Sequence, residues 1–241
     1  MAYLELHSWN RCTECGSCLS GCPVMRMPRS EARAAIRALL EGDLSGRALQ
    51  ECTLCYKCND LCPVPGLEPT DLLQQRILER RGPTPGHIRY LFNTANRGSI
   101  WSEMRGSLTT DQHEILKKWS EPPPPAPEVL WLGCVQRTFS PTDIENSSVL
   151  NDLPKYGPIG TCCGEIAYRL GDWNDFLAAA ERAWNALKAL QTDRLVCYCS
   201  GCAYFFDHVY TKVFDEHLPF EIVTIYDWLW DRLRTGELKV T

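Results

Sequence analysis

Eight cysteines near the N-terminus occur in two runs with identical spacing. The first run spans residues 12–23 and the second spans residues 52–63, and each reads C-x2-C-x2-C-x3-C-P. Thiolates are soft ligands that suit zinc and iron–sulfur centres, and a short loop can direct three of them at one centre. The two runs are therefore predicted to bind metal.

The spacing favours [4Fe–4S] clusters. A cubane cluster has an iron at each of four corners, and each iron takes one thiolate. Three cysteines at i, i+3 and i+6 reach three irons from one side, so the fourth thiolate must come from elsewhere. In bacterial-type ferredoxins with this spacing, the fourth cysteine of each run ligates the cluster of the other run. The predicted ligand sets are Cys12, Cys15, Cys18 and Cys62 for one cluster and Cys52, Cys55, Cys58 and Cys22 for the other.

Disulfides and structural zinc are the alternative uses of these cysteines. Nothing in the sequence indicates a secreted protein, which argues against a disulfide framework. Zinc motifs usually pair two C-x2-C knuckles across a longer gap, whereas a tight triple followed by C-P is typical of clusters. Inert buried cysteines would not repeat one spacing twice.

The composition is that of a globular chain with an acidic balance. The 241 residues are 44% hydrophobic and 23% charged, with a formal net charge of −5. This charge gives no electrostatic basis for a nucleic-acid partner. The N-terminal residues lack the basic and apolar regions of a signal peptide, and no apolar run approaches the roughly 18 residues that span a bilayer. We therefore expect a soluble cytoplasmic protein, because thiolate ligands suit a reducing compartment.

Helices are predicted to surround the two cysteine runs. Ser30 can cap a helix whose apolar positions include Ala32, Ile36 and Leu39, and Gly42 ends it. Further helices are predicted near residues 44–50, 71–81 and 86–96 and, more weakly, within 97–120. The clusters are thus expected to lie in a helical shell.

Residues 121–128 mark the predicted domain boundary. Five of these eight residues are proline, and such a composition forms a stiff polyproline II spacer. The sequence therefore predicts an α-helical, ferredoxin-like domain with two [4Fe–4S] clusters over residues 1–120, a linker over 121–128 and a second domain over 129–241.

The second half of the chain alternates strand and helix patterns. Strands are predicted at residues 129–132, 194–196 and 220–224, and helices are predicted from Asp172, after Cys202 and at residues 227–236. This alternation predicts a small α/β layer. Ligands collect beyond the carboxyl ends of parallel strands. Because Cys134, Cys197 and Cys199 fall at predicted strand ends, we expect one shared site there.

Three cysteine motifs of the second half carry a family resemblance. They are Gly133-Cys134, Cys162-Cys163-Gly164 and Cys199-Ser200-Gly201-Cys202. Together they resemble one CCG domain, which recurs in the B subunit of heterodisulfide reductase and in related subunits of glycerol-3-phosphate, glycolate, lactate and thiol:fumarate oxidoreductases. The first half resembles the α-helical ferredoxin domain of succinate dehydrogenase iron–sulfur subunits and of the C subunit of heterodisulfide reductase. The resemblance implies an α+β multidomain chain, in which a domain like that C subunit is fused to a single CCG domain.

The resemblance also implies a third cofactor. In heterodisulfide reductase each CCG domain holds a non-cubane [4Fe–4S] cluster through five cysteines. The ligands carried over to this chain are Cys134, Cys162, Cys163, Cys199 and Cys202. Zinc, a cubane or a redox dithiol are the alternatives at this site. The chain departs from the B subunit of that enzyme in having one CCG motif instead of two, and Cys197 is an additional thiol that we interpret as a buried strand-end residue.

The function implied is electron transfer within a larger oxidoreductase. The chain is expected to relay electrons from a flavin-containing or hydrogenase-type partner, through two [4Fe–4S] clusters, to the CCG site of a hetero-oligomeric complex. One alternative is a terminal reductase in which a disulfide or quinone is reduced at the CCG cluster. Another is a zinc-bearing CCG domain with a structural role. No catalytic residue is assigned, and no membrane-spanning segment or nucleic-acid partner is expected.

Overall fold

The computed structural model describes residues 9–92 and 99–239, and the chain divides into two compact units. The first unit contains the described residues up to Thr84 together with Arg169–Gly171, and the second contains Pro85–Tyr168 and the described residues from Asp172 onward. The proline-rich segment at 121–128 lies within the second unit, and the domain assignment made from the sequence stays a prediction. Residues 1–8, on which the expectation about a signal peptide rests, lie outside the described residues.

The first unit consists of short helices joined by loops. Its elements are a 3₁₀ turn at Trp9–Arg11 and the helices α1 (Ser17–Ser20), α2 (Arg29–Leu40), α3 (Arg47–Glu51), α4 (Lys57–Asp60) and α5 (Pro69–Arg81). The helix expected after Ser30 is present, but Ser30 does not cap it. The N-cap position is Pro28, and no side chain makes a cap hydrogen bond there. Because the helix begins at Arg29, the Ser30 hydroxyl already lies in its first turn.

The apolar face of α2 forms the core of the first unit. Ala32, Ile36 and Leu39 are each at most 2% exposed, and their spacing of three and four residues places them on one face. They belong to the same cluster of buried side chains as Leu72 and Leu73 of α5. This core holds the loops that carry the cysteines.

The two cysteine runs share an unusual backbone. Glu14 and Leu54 occupy equivalent places in the two runs, and each has a φ of 52°. Gly16 and Tyr56 are also equivalent, with φ values of 71° and 64°. A left-handed conformation costs a residue with a side chain about 1–2 kcal/mol. The two runs therefore share a loop geometry as well as a spacing. They keep the left-handed conformation at all four positions, although only one of these residues is glycine.

The second unit surrounds a small sheet with helices. Its helices are α6 (Gly86–Phe92), α7 (Ile100–Gly106), α8 (Thr110–Lys118), α9 (Cys134–Phe139), α10 (Pro141–Glu145), α11 (Glu165–Leu170, in this unit up to Tyr168), α12 (Trp173–Lys188), α13 (Ser200–Tyr204), a π-helix (Phe205–Val209), α14 (Tyr210–Phe214) and α15 (Ile225–Thr235). Its strands are β1 (Glu128–Trp131), β2 (Lys155–Tyr156), β3 (Arg194–Cys197) and β4 (Glu221–Thr224). Strand β2 and helices α9 to α11 are absent from the sequence prediction. Residues 93–96 of the helix expected at 86–96 lie outside the described residues.

The four strands form one parallel sheet in the order β2-β1-β3-β4. Trp131 at the end of β1 is paired with Tyr156 on one side and with Cys197 on the other, and Cys197 is paired with Thr224. The carboxyl ends of all four strands are therefore level. The expected combination of helices with a small parallel sheet is confirmed. Cys197 lies at the carboxyl ends of the strands, which is where ligands collect in such sheets.

Helix α12 begins directly after Asp172, as predicted. Asp172 stands at the N-cap position of α12, but its side chain makes no cap hydrogen bond. Its carboxylate instead accepts a hydrogen bond from the guanidinium of Arg89 at 2.5 Å. Both kinds of bond are charge-assisted, and the guanidinium is the partner that carries a full opposite charge.

Replacement of Gly16 tests the geometry of the first cysteine loop. A Cβ at this position would lie 2.7 Å from the backbone nitrogen of Arg33 and 2.9 Å from the carbonyl carbon of Ala32, and φ is 71°. We expect Gly16→Ala to destabilise the first unit by about 2–4 kcal/mol, because strain and overpacking add.

The measurements are thermal unfolding and iron content after anaerobic purification. Gly46→Ala is the matched control, since no atom lies within 4 Å of its added Cβ. Equal unfolding temperatures for the two variants would contradict the close approach described here.

Candidate metal centres

Four cysteines line one cavity of the first unit. They are Cys12, Cys15, Cys18 and Cys62. Its wall also contains the apolar side chains of Ile36 and Leu67. Three of the thiols come from the first run and one comes from the second. The structure thus brings together the four cysteines that the sequence predicted for one cluster.

A second cavity contains the cysteines of the other predicted set. They are Cys22, Cys52, Cys55 and Cys58. Met25 and Leu73 form part of its wall. Cys18 also lines it, so one thiol borders both cavities. The fourth cysteine of each run therefore lies with the three cysteines of the opposite run.

Burial sets the protonation of the third cysteine in each run. Removal from water raises the pKa of Cys18 to about 12 and that of Cys58 to about 12. The pKa of Cys15 is lowered instead, chiefly by a hydrogen bond with the side chain of Ser17, 3.4 Å away. Thiolate is the form that binds metal. The buried thiols therefore ionise only when a cation enters with them, and loading of the site releases protons.

Several donors point at the sulfurs. The backbone N–H of Leu54 donates to Cys52 Sγ at 3.4 Å, and that of Met25 donates to Cys22 Sγ at 3.5 Å. Within residues 9–92 and 99–239, no three His, Cys, Asp or Glu side chains converge as ligands of one metal ion. A four-iron cluster takes one thiolate at each iron and so spaces them more widely than a single ion does. Separated thiols, amide donors and apolar walls fit such a cluster.

Thr70 contacts Cys58, a contact that the sequence analysis did not predict. Its side chain is 1% exposed, and its Oγ1 lies 2.9 Å from Cys58 Sγ. Its backbone N–H donates to Asn59 Oδ1 at 3.0 Å, which fixes the first turn of α5 against the second run. A thiolate has no proton to donate, so in the ionised state the threonine hydroxyl must be the donor.

The cysteines of the second unit meet beyond the sheet. Cys134 is the first residue of α9, and its Sγ lies 3.5 Å from that of Cys162. A Cβ on Gly133 would lie 3.3 Å from Cys202 Sγ and 3.3 Å from Cys199 Cβ. The end of β1 therefore lies against the C-x2-C segment that follows β3.

The remaining cysteines of the group lie near one another. Cys163 is close enough to Cys162 and Cys202, and Cys202 to Cys199, for their charges to interact. Electrostatic interactions thus link all five cysteines expected from the CCG resemblance. Cys197 is 0% exposed at the end of β3, where burial raises its pKa well above the usual value.

Glycine is required at the third position of the CCG motif. Gly164 has a φ of 80°, and a Cβ there would lie 2.8 Å from the ring of Phe176. Its backbone N–H donates to Cys162 Sγ at 3.4 Å. The preceding carbonyl, that of Cys163, accepts a hydrogen bond from the Tyr210 hydroxyl at 3.0 Å. These contacts hold the two adjacent thiols in the interior.

Comparison with known proteins finds matches to iron–sulfur proteins. Residues 8–65 match the 4Fe-4S dicluster domain family. The chain is 25% identical over 268 aligned positions to the B subunit of fumarate reductase (CoM/CoB) from Methanothermobacter marburgensis, an alignment that covers 98% of this chain and 50% of the relative. It is 37% identical over 84 residues to the C subunit of ferredoxin:CoB-CoM heterodisulfide reductase from Methanosarcina mazei, covering 32% of this chain and 52% of the relative.

These matches confirm the predicted resemblance to heterodisulfide reductase-like iron–sulfur proteins. The chain spans about half the length of these two relatives. No solved structure gives a significant match. In the part of the chain that the structure describes, no helix is both long and apolar enough to cross a membrane.

Removal of the Thr70 hydroxyl tests its role in the dicluster domain. We expect Thr70→Val to lower the midpoint potential of the cluster at Cys58, because a donor to the sulfur stabilises the more negative reduced state. The measurement is a redox titration followed by electron paramagnetic resonance. Thr70→Ser, which keeps the hydroxyl, is expected to stay near the wild-type potential. Equal potentials for the valine and serine variants would contradict this role.

Proposed function

We propose that the chain is an iron–sulfur electron-transfer subunit of a heterodisulfide reductase-like oxidoreductase complex. The observation that carries this proposal is the crossing of the two runs, in which each cavity combines three cysteines of one run with the last cysteine of the other. A pair of bound clusters supplies one-electron transfer. The chain supplies thiolates, dry walls and hydrogen-bond donors, which set the potential at each site.

The ligand sets proposed for the first unit are those of the two cavities. The first set is Cys12, Cys15, Cys18 and Cys62, and the second is Cys52, Cys55, Cys58 and Cys22. Cys18 borders both cavities, which supports two centres close enough to exchange electrons. We further propose a flavin-containing or hydrogenase-type donor subunit in a hetero-oligomeric complex, because the relatives are named as subunits of reductases. A reducing, cytoplasmic location suits these thiolates.

The second unit is proposed to hold a third cluster. Its ligands would be Cys134, Cys162, Cys163, Cys199 and Cys202, and the support is their proximity to one another beyond the carboxyl ends of the strands. The adjacent residues Cys162 and Cys163 would supply two of its thiolates. In this proposal the site is the far end of the electron path.

A second candidate function is a terminal reductase that acts on a disulfide or a quinone. The observation in its favour is that Cys134 borders a small surface cleft, which Arg105 and Ile159 also line. Turnover by the isolated chain with an artificial electron donor would favour this candidate. Electron transfer to a further subunit without turnover would favour the relay.

Metal analysis tests the cofactors. Two cubanes give about 8 irons per chain and a third four-iron cluster gives about 12, each with matching sulfide. About 8 irons and one zinc would instead show that the second unit carries zinc. A colourless, iron-free protein after anaerobic purification would overturn the electron-transfer function.

Substitution of the fourth cysteines tests the crossing. In Cys62→Ser we expect alkylation of Cys12, Cys15 and Cys18, while the cysteines of the second cavity stay protected, because only the first cluster loses a ligand. Cys22→Ser should give the reverse pattern.

Mass spectrometry after anaerobic labelling identifies the alkylated residues. Cys197→Ser is the matched control and should leave both patterns unchanged. Labelling of Cys52 and Cys55 in the Cys62→Ser variant would show that each cluster takes all four thiolates from one run.

A further inference from the structure

Arg137 is a buried cation beside the CCG cysteines. It lies on α9, one turn after Cys134, and is 5% exposed. Its guanidinium is close enough to Cys134, Cys162 and Cys202 for their charges to interact. Burial of an unpaired charge costs several kcal/mol, so the surroundings of this side chain must offset a large penalty.

The guanidinium donates to four backbone carbonyls and one hydroxyl. Nη1 donates to Gly157 O at 2.8 Å, to Thr161 Oγ1 at 3.2 Å and to Pro158 O. Nη2 donates to Thr161 O, and Nε donates to Gly133 O at 3.4 Å. Each of these acceptors is a neutral oxygen. The hydrogen bonds therefore satisfy the donors of Arg137 but do not neutralise its charge.

These acceptors lie on the segment that enters the CCG motif. Residues 157–161 directly precede Cys162 and Cys163, and Gly133 directly precedes Cys134. The loop is also closed on itself, because Thr161 Oγ1 donates to Pro158 O at 2.6 Å. The Arg137 side chain thus connects the segment before Cys134 to the loop that leads into Cys162 and Cys163.

We propose that Arg137 is a positioning residue of this site, which holds residues 157–161 against α9 so that Cys162 and Cys163 face Cys134. We propose in addition that its charge balances the negative charge of the thiolates. The inference rests on the proposed third cluster, since a set of five thiolates and a cluster is an anion that requires such a partner. Arginine suits both tasks, because its planar fork has five donors and it stays charged when buried.

Two substitutions separate the two tasks. Arg137→Lys keeps the charge but replaces the fork by a single ammonium that cannot reach the same set of carbonyls. Arg137→Met removes the charge and all five donors while it keeps much of the volume. Thr161→Val removes one acceptor, and Arg182→Met, at an exposed position of α12, is the matched control.

The first measurement is the rate at which Cys162 and Cys163 are alkylated in the anaerobically purified full chain. We expect rates about tenfold above wild type in Arg137→Met, because several bonds to a charged group are lost. Arg137→Lys and Thr161→Val should give smaller increases, and Arg182→Met should give none. Wild-type labelling rates in both Arg137 variants would overturn the proposal.

The second measurement is iron content with redox titration of the cluster of the second unit. Iron is expected to fall from about 12 to about 8 per chain in Arg137→Met, as one four-iron cluster is lost. Arg137→Lys should retain this cluster at a potential near wild type, because a buried cation favours the more negative reduced state. Loss of the cluster from the lysine variant, with loading of the methionine variant intact, would overturn the role of the charge.

The controls distinguish failure of this inference from failure of the proposed function. If the wild-type chain contains only about 8 irons, the third cluster is absent, yet the labelling rates still decide whether Arg137 holds the loop. If Arg137→Met does not fold, as judged by circular dichroism and gel filtration, the lysine and Thr161 variants provide the labelling test.

Discussion

The two candidate centres of the first unit depend on one constraint: their thiols are buried, and burial opposes the ionisation that metal binding requires. Burial raises the pKa of Cys18 and of Cys58 to about 12, so these side chains resist ionisation in a dry wall. Thiolate is nonetheless the ligand that a cluster needs. The required positive charge must therefore arrive with the irons. Hydrogen-bond donors such as Thr70 stabilise the negative charge that remains on the sulfurs. In the second unit a resident cation, Arg137, is already in place.

The same constraint explains which parts of the site were predictable. Ligation of a cube by a short loop dictates the spacing of cysteines, so the two runs and their crossing could be inferred from sequence. The parallel sheet was also predictable, because buried strands read as short apolar runs. Strand β2 escaped prediction because two residues carry no periodic pattern. Ser30 was expected to cap α2 but does not, because a proline occupies the N-cap position, whereas Asp172 stands at the predicted start of α12 and its side chain binds an arginine.

Contacts between distant positions were beyond the reach of sequence patterns. Thr70 lies twelve residues from Cys58, and Arg137 lies twenty or more residues from the loop it holds. An arginine one turn after a cysteine at a strand end was the available signal, and it is indistinguishable in sequence from a solvated helix residue. The left-handed backbone of Tyr56 gave no signal either, since such a conformation usually favours glycine.

The thiol that borders both cavities has an electrostatic consequence for a chain that carries a cluster in each. Cys18 interacts electrostatically with Cys62 on one side and with Cys58 on the other. An electron that enters one centre would therefore repel a second electron at its neighbour through a wall only one side chain thick. The two centres would therefore have separate midpoint potentials even if the isolated centres were identical.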